Sequence, residues 1–194
     1  LSDLSGVVFL VGCFWAIWRR YIRKVPRVAK KTEGQDLTNI ILLVLLGVGG
    51  FVVEGFRISK NISAGINMGH EKWSIIGYPL SRLYVNLSSS AQTLAIYHRW
   101  AWAFHVATFL LFLVVLPATK LRHMVTSPIN MYLSDTQRPE GSLTEVENLA
   151  ESDAESFGAG VVSDFTWKQL LDTDSCTVCG RCTDVCPANM TGKI

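Results

Sequence analysis

Residues 94–116, LAIYHRWAWAFHVATFLLFLVVL, constrain this chain more than any other stretch. The hydrocarbon core of a bilayer takes ~20 apolar residues as a helix. With no water there, every backbone N–H and C=O must pair within its own segment, so the stretch is helical. Residues 37–56, LTNIILLVLLGVGGFVVEGF, form a second such run, with Glu54 as its one acid. Residues 4–18 are a third, fifteen residues long and uncharged, completed by residues before it or by Tyr21 and Ile22. Trp15, Trp18 and Tyr21 suit an interfacial aromatic belt. The fold class that follows is an all-α membrane helix bundle with three spans in residues 1–133. Hydrophobic residues make up 49% of the chain but concentrate before residue 120, so a water-facing part follows the membrane part.

The connecting segments orient the spans. Seven Lys or Arg lie between Arg19 and Lys31, and Pro26 interrupts any long helix there. An excess of Lys and Arg marks a cytoplasmic loop; a patch for anionic lipid or nucleic acid is the other reading of such a run. Residues 57–93 carry only four Lys or Arg and include Trp73, Tyr78 and Tyr84. They read as an outer loop, with a short amphipathic helix at 80–88 lying on the surface and a solvated or interfacial His70. Pro117 closes the third span, and Lys120, Arg122 and His123 follow on the inner side. The spans then run inward, outward and inward, delivering the C-terminal part to the cytoplasmic face.

That part carries Cys176-Thr-Val-Cys179-Gly-Arg-Cys182-Thr-Asp-Val-Cys186-Pro187. Four of the five cysteines thus fall within eleven residues, spaced C-x2-C-x2-C-x3-C-P. This is the bacterial ferredoxin run for a [4Fe-4S] cluster, in which the fourth Cys ligates the other cluster of a pair. Cys176, Cys179 and Cys182 are expected to hold one cube and Cys186 a second. A structural zinc site would favour paired C-x2-C units, and the spacing suits disulfides poorly. Reduced thiols also favour the cytoplasmic side. Pro187 is expected to stop regular structure, and Cys13 to be a small core or lipid-facing residue. A cube needs four thiolates, so a second four-Cys run is expected beyond residue 194. The chain reads as a piece of a longer polypeptide. Residues 134–162 read as an acidic, solvated linker. Residues 163–194 read as the first part of an α-helical ferredoxin-like domain. It opens on a helix at 163–171, with Ser163 or Asp164 as N-cap and Phe165, Trp167, Leu170 and Leu171 near the cluster.

Ionisable groups inside a membrane are rare and usually functional. His98 and His105 are seven residues apart, on one face of a helix. His105 and His123 are eighteen apart, which is five turns or ~27 Å if the helix continues. Each would then serve a b-type haem in a different leaflet, with partner ligands from other helices, since the first two spans hold no His. An intramembrane His can equally bond a neighbouring carbonyl. Glu54 and Arg57, at the outer end of the second span, are candidates for handling a quinol proton, or a simple interfacial ion pair. Gly47, Gly49, Gly50 and Gly55 give a small-residue surface for a helix or a flat ligand.

The segment FHVATFLLFLVVLPATKLRHMVTSPINMYL resembles the last helix of the nitrate reductase gamma-subunit type of membrane cytochrome b. DFTWKQLLDTDSCTVCGRCTDVCPANMTGK resembles iron–sulfur proteins related to the heterodisulfide reductase D subunit. The two are fused in membrane oxidoreductases that connect electron-transferring flavoproteins to menaquinone, and EGFRI at 54–58 fits such fusions. The resemblance implies axial roles for His105 and His123, with His98 in reserve, though Pro117 stands where some relatives have His. It implies [4Fe-4S] clusters and haem b as cofactors and quinone as substrate. It also implies a cytoplasmic flavoprotein partner and a multi-pass location in the prokaryotic inner membrane. A heterodisulfide or sulfur-compound reductase subunit and a non-catalytic anchor for an iron–sulfur module are the alternatives.

Overall fold

A computed structural model of the chain describes residues 2–66, 69–88, 90–137 and 160–192. All regular structure among them is helical. Most of the 134–162 linker, residues 138–159, lies outside the described residues. The chain divides into two compact units, Leu1–Thr119 with Cys179–Ile194, and Lys120–Val178.

In the first unit, α1 (Ser2–Ile17) continues through a π turn at Trp18–Ile22, so Tyr21 and Ile22 do complete the first span. The short α2 (Pro26–Ala29) begins at the proline expected to interrupt the basic loop. Then come α3 (Gly34–Ser63), a 3₁₀ turn at His70–Trp73, α4 (Gly77–Leu87) and α5 (Ala91–Val115). Three helical segments, Ser2–Ile22, Gly34–Ser63 and Ala91–Ala118, are long and apolar enough to cross a membrane. Each outruns its apolar sequence core, because backbone pairing carries the helix past the hydrocarbon edge. The amphipathic helix expected at 80–88 is α4.

The glycines of α3 explain why it is the hub. A Cβ on Gly47 would lie 2.7 Å from Leu10 of α1, and one on Gly55 would lie 2.9 Å from Tyr84 of α4. One on Gly49 would lie 2.8 Å from His105 of α5. Each neighbour approaches where α3 has no side chain, the close-packing logic of helices in lipid. Phe56 then stacks on Tyr84 with ring centroids 4.0 Å apart. Ile58, Leu94, Ser59 and Ser81 are fully buried in this core. Phe104, Leu110 and Val114 stay exposed on α5, a surface suited to lipid or to further helices.

Polar ties fix the span ends. Asp36 accepts a hydrogen bond from the Glu33 N–H at 2.8 Å, closing a capping box at the start of α3. The same carboxylate pairs with Arg20 at 2.7 Å, joining the end of the first span to the start of the second. At the opposite ends, Asp3 accepts from Ser74 Oγ (2.8 Å), Ile76 N–H (2.9 Å) and Gly77 N–H (3.4 Å), so α1 caps α4. Asp3→Ala leaves those donors unpaired and is expected to cost about 1–3 kcal/mol. The check is a lower thermal midpoint in detergent, largely restored by Asp3→Asn, which still accepts.

In the second unit, α6 (His123–Tyr132) follows a 3₁₀ turn at Lys120–Arg122, and α7 (Trp167–Asp174) follows another at Val162–Asp164. The third span does not continue to His123. It ends in a 3₁₀ turn at Leu116–Ala118, Pro117 in its first turn, and Thr119 is extended. Proline lacks the N–H that would carry the helix on. The five-turn relation between His105 and His123 therefore fails. The helix expected at 163–171 lies instead at 167–174, because Thr166 rather than Ser163 or Asp164 is its N-cap. Thr166 N–H donates to Gln169 Oε1 at 2.8 Å, and Gln169 N–H to Thr166 Oγ1 at 3.3 Å. Asp164 closes the preceding turn, accepting from Gly160 and Val161 N–H groups. Those two backbone donors, that of Val161 foremost, hold its carboxyl below the usual range.

Candidate metal and redox sites

The polar face of α6 positions the approach to the cysteine run. Thr126 Oγ1 donates to Asp174 O (3.2 Å), Ser127 Oγ to Ser175 O (2.9 Å), and Ser175 Oγ to Thr126 O (3.2 Å). Asn130 Nδ2 donates to Asp172 Oδ1 at 2.8 Å, and Lys168 Nζ bonds both Asn130 and Asp172. Arg122 pairs with Asp174 at 3.1 Å. Lys168 foremost, then Asn130, holds the Asp172 carboxyl below its usual range. This small contribution is present above the ordinary carboxylate pKa and is lost as pH falls through the depressed one. The clasp sets the end of α7, from which Cys176 follows directly.

All five cysteines are free thiols. Cys176, Cys179 and Cys182 are exposed and Cys186 is half-buried. Val178 N–H points at Cys176 Sγ at 3.3 Å. Val178 (φ 52°) and Gly180 (φ 73°) both adopt left-handed backbone, curling the run back on itself. Gly180 does so freely, whereas a β-branched valine is strained there. Among the described residues no three His, Cys, Asp or Glu side chains converge on one metal ion. A cubane attaches its thiolates to separate irons, so it asks for free thiols along a curled loop with amides aimed at sulfur. The run provides these, and its donor set fits the cluster. Contrary to expectation, Pro187 starts a helix, α9 (Pro187–Met190), with Cys186 as N-cap, after the single-turn α8 (Arg181–Asp184). Proline at the first helical position wastes no donor. Cys13 is buried in α1.

The histidines differ in setting. His123 Nδ1–H donates to the Lys120 carbonyl at 2.5 Å. That fixes the tautomer and leaves Nε2 as the lone-pair nitrogen, the arrangement of a metal-binding imidazole. His105 sits half-buried in α5, its Nδ1 enclosed against Gly49 without a hydrogen-bond partner among the described residues. A buried, unpaired imidazole nitrogen is unusual, and the glycine clearing beside it fits a site for a flat macrocycle. His98 lies two turns nearer the start of α5, with Lys60 and Arg57 of α3 as nearby charges. His70 is exposed, as expected.

Glu54 is more than half of a surface pair. Arg57 lies 3.8 Å from Glu54 and 4.0 Å from the buried Glu71. The Glu54 carboxyl also meets Asp3 and lies under Gly77, whose added Cβ would come within 2.9 Å of it. Asp3 and Glu71 escaped sequence reasoning. One sits at the very start of the first span, and the other looks like a solvated loop acid. Nearby, Phe56, Tyr84, Leu87, Leu94 and Tyr97 line an apolar cavity of about 330 Å³. Burial pushes the Tyr84 hydroxyl above its ordinary pKa.

Residues 1–138 match the family described as nitrate reductase gamma subunit. The chain belongs to the nitrate reductase gamma-subunit family. Residues 167–188 of this gamma-subunit-family chain match the 4Fe-4S binding domain, so the fusion suggested by the two segments is present. The chain is 34% identical over 193 residues to the EtfAB:quinone oxidoreductase of Syntrophomonas wolfei, covering 98% of this chain and 26% of that protein. It is 32% identical to the probable iron-sulfur-binding oxidoreductase FadF of Bacillus subtilis, covering 100% of this chain and 26% of the relative. A 61-residue stretch, 31% of the chain and 9% of the relative, is 44% identical to a probable membrane-anchored ferredoxin of Chromohalobacter salexigens. The chain thus spans about a quarter of the two relatives that it matches throughout. No solved structure matches it.

Proposed function

We propose that the full-length protein carries electrons between a cytoplasmic redox partner, an electron-transferring flavoprotein, and the membrane quinone pool. The observation that carries this reading is a four-thiol ferredoxin run fused to a gamma-subunit-type membrane part whose third span holds His105 against Gly49. Cys176, Cys179 and Cys182 hold one [4Fe-4S] cluster and Cys186 a second. His105 and His123 each give one axial imidazole to a b-type haem, with His98 as the alternative for the outer site. Bound clusters and haem supply the one-electron chemistry; the chain supplies ligands, burial and hydrogen bonds. The contact of Gly180 with Arg27 and Lys31 supports a common, cytoplasmic side for the basic loop and the cysteine run.

Glu54, beside Asp3 and Arg57, handles the quinol proton, and the aromatic-lined cavity around Phe56 suits a quinone ring. The test uses full-length protein with both cofactor types verified, a reduced flavoprotein and a soluble menaquinone analogue. Quinone reduction is expected, and Glu54→Gln is expected to slow it and change its pH profile while haem and iron persist. No quinone reduction by the loaded protein overturns the reading. An unaltered rate and pH profile in the variant overturns the role of Glu54 alone.

A further inference from the structure

The basic loop between the first two spans does more than mark a membrane face. Gly180, between the exposed Cys179 and the single-turn α8, is itself buried. Its neighbours come from that loop: a Cβ on Gly180 would lie 3.4 Å from Arg27 Cγ, 3.6 Å from the Arg27 carbonyl and 3.6 Å from Lys31 Cγ. Both the positive φ and this contact exclude a side chain at Gly180. The aliphatic stems of Arg27 and Lys31 thus floor the turn after Cys179, and their cationic heads lie beside the cysteine run.

We propose that Arg27 and Lys31 are positioning residues for the [4Fe-4S] cluster, seating the Cys179–Gly180 turn and raising the cluster's reduction potential by their charge. The inference rests on the cluster assignment above. A cluster takes on negative charge when reduced, so fixed cations nearby favour the reduced form, and net charge around a cluster is one of the terms that set its potential. Both side chains reach water at their heads, so salt screens the effect.

The experiment is a redox titration of the cluster's EPR signal in the full-length protein, with iron content measured on each sample. Arg27→Gln with Lys31→Gln is expected to keep its iron and to lower the equilibrium constant for one-electron reduction about tenfold, ~59 mV. Arg27→Lys with Lys31→Arg keeps both charges and is expected to hold the wild-type potential. Raising salt is expected to draw the wild-type value toward that of the double Gln variant. The seat has its own readout. In Gly180→Ala, trypsin is expected to cut after Arg27 and Lys31 faster than in wild type, relative to cutting after Arg23 and Lys24. An iron-loaded double Gln variant with the wild-type potential overturns the charge role. Unchanged cutting in Gly180→Ala overturns the seat, whatever the iron content of the other variants. Absence of iron from the wild type counts against the cluster assignment instead.

Discussion

Cys179→Ser is expected to remove up to one whole cubane, about four irons per chain, together with its EPR signal. Serine keeps the size of the side chain but offers a poorly ionised hydroxyl where the iron binds a thiolate. Cys179 is the most informative of the four because it stands between the two left-handed residues, Val178 and Gly180. A serine there removes one sulfur and leaves the curl of the loop intact. Loss of iron without loss of α-helical circular dichroism is the expected signature. Unchanged iron and an unchanged EPR spectrum would remove Cys179 from the ligand set.

The second large effect concerns His105. His105→Ala is expected to abolish one of the b-type haem bands in the optical spectrum of the full-length protein, and His123→Ala the other. Gly49→Leu is expected to imitate His105→Ala without touching the imidazole, since even a Cβ at Gly49 would lie 2.8 Å from His105 Nδ1. His105→Met is expected to retain some haem at an altered potential, because the axial ligand sets it. A full haem complement in His105→Ala would reassign the outer site to His98, on the same helical face.

The membrane architecture was legible because composition alone forces it: apolar runs of this length have no other way to satisfy their backbone. The cysteine spacing was equally direct. What escaped the sequence was mostly non-local. Asp3 reaches Ser74, Ile76 and Gly77 across more than seventy residues, and no short window signals that. Thr126, Ser127 and Asn130 read as an unremarkable polar exit from the third span, yet they bind residues 172–175 nearly fifty positions away. The break at Pro117 is different. Its consequence for His123 was available locally, as was the Thr166–Gln169 capping box, whose T-x-x-Q spacing is a helix start in its own right. In both places a pattern of greater apparent meaning, the histidine spacing and the acidic N-cap candidates, was preferred to simple backbone chemistry.

The α6–α7 clasp also bears on how much sequence change the intervening segment can absorb. Because bonds between 122–130 and 168–175 fix where Cys176 emerges, the chain from 138 to 159 has only to close a loop. Closure entropy grows slowly with length, at roughly 0.6 kcal/mol per doubling. Insertions and deletions there are therefore nearly free, whereas a single residue gained or lost between Thr166 and Cys176 would rotate α7 by about 100° and break the clasp. Natural selection can lengthen the one segment at will and must count residues in the other.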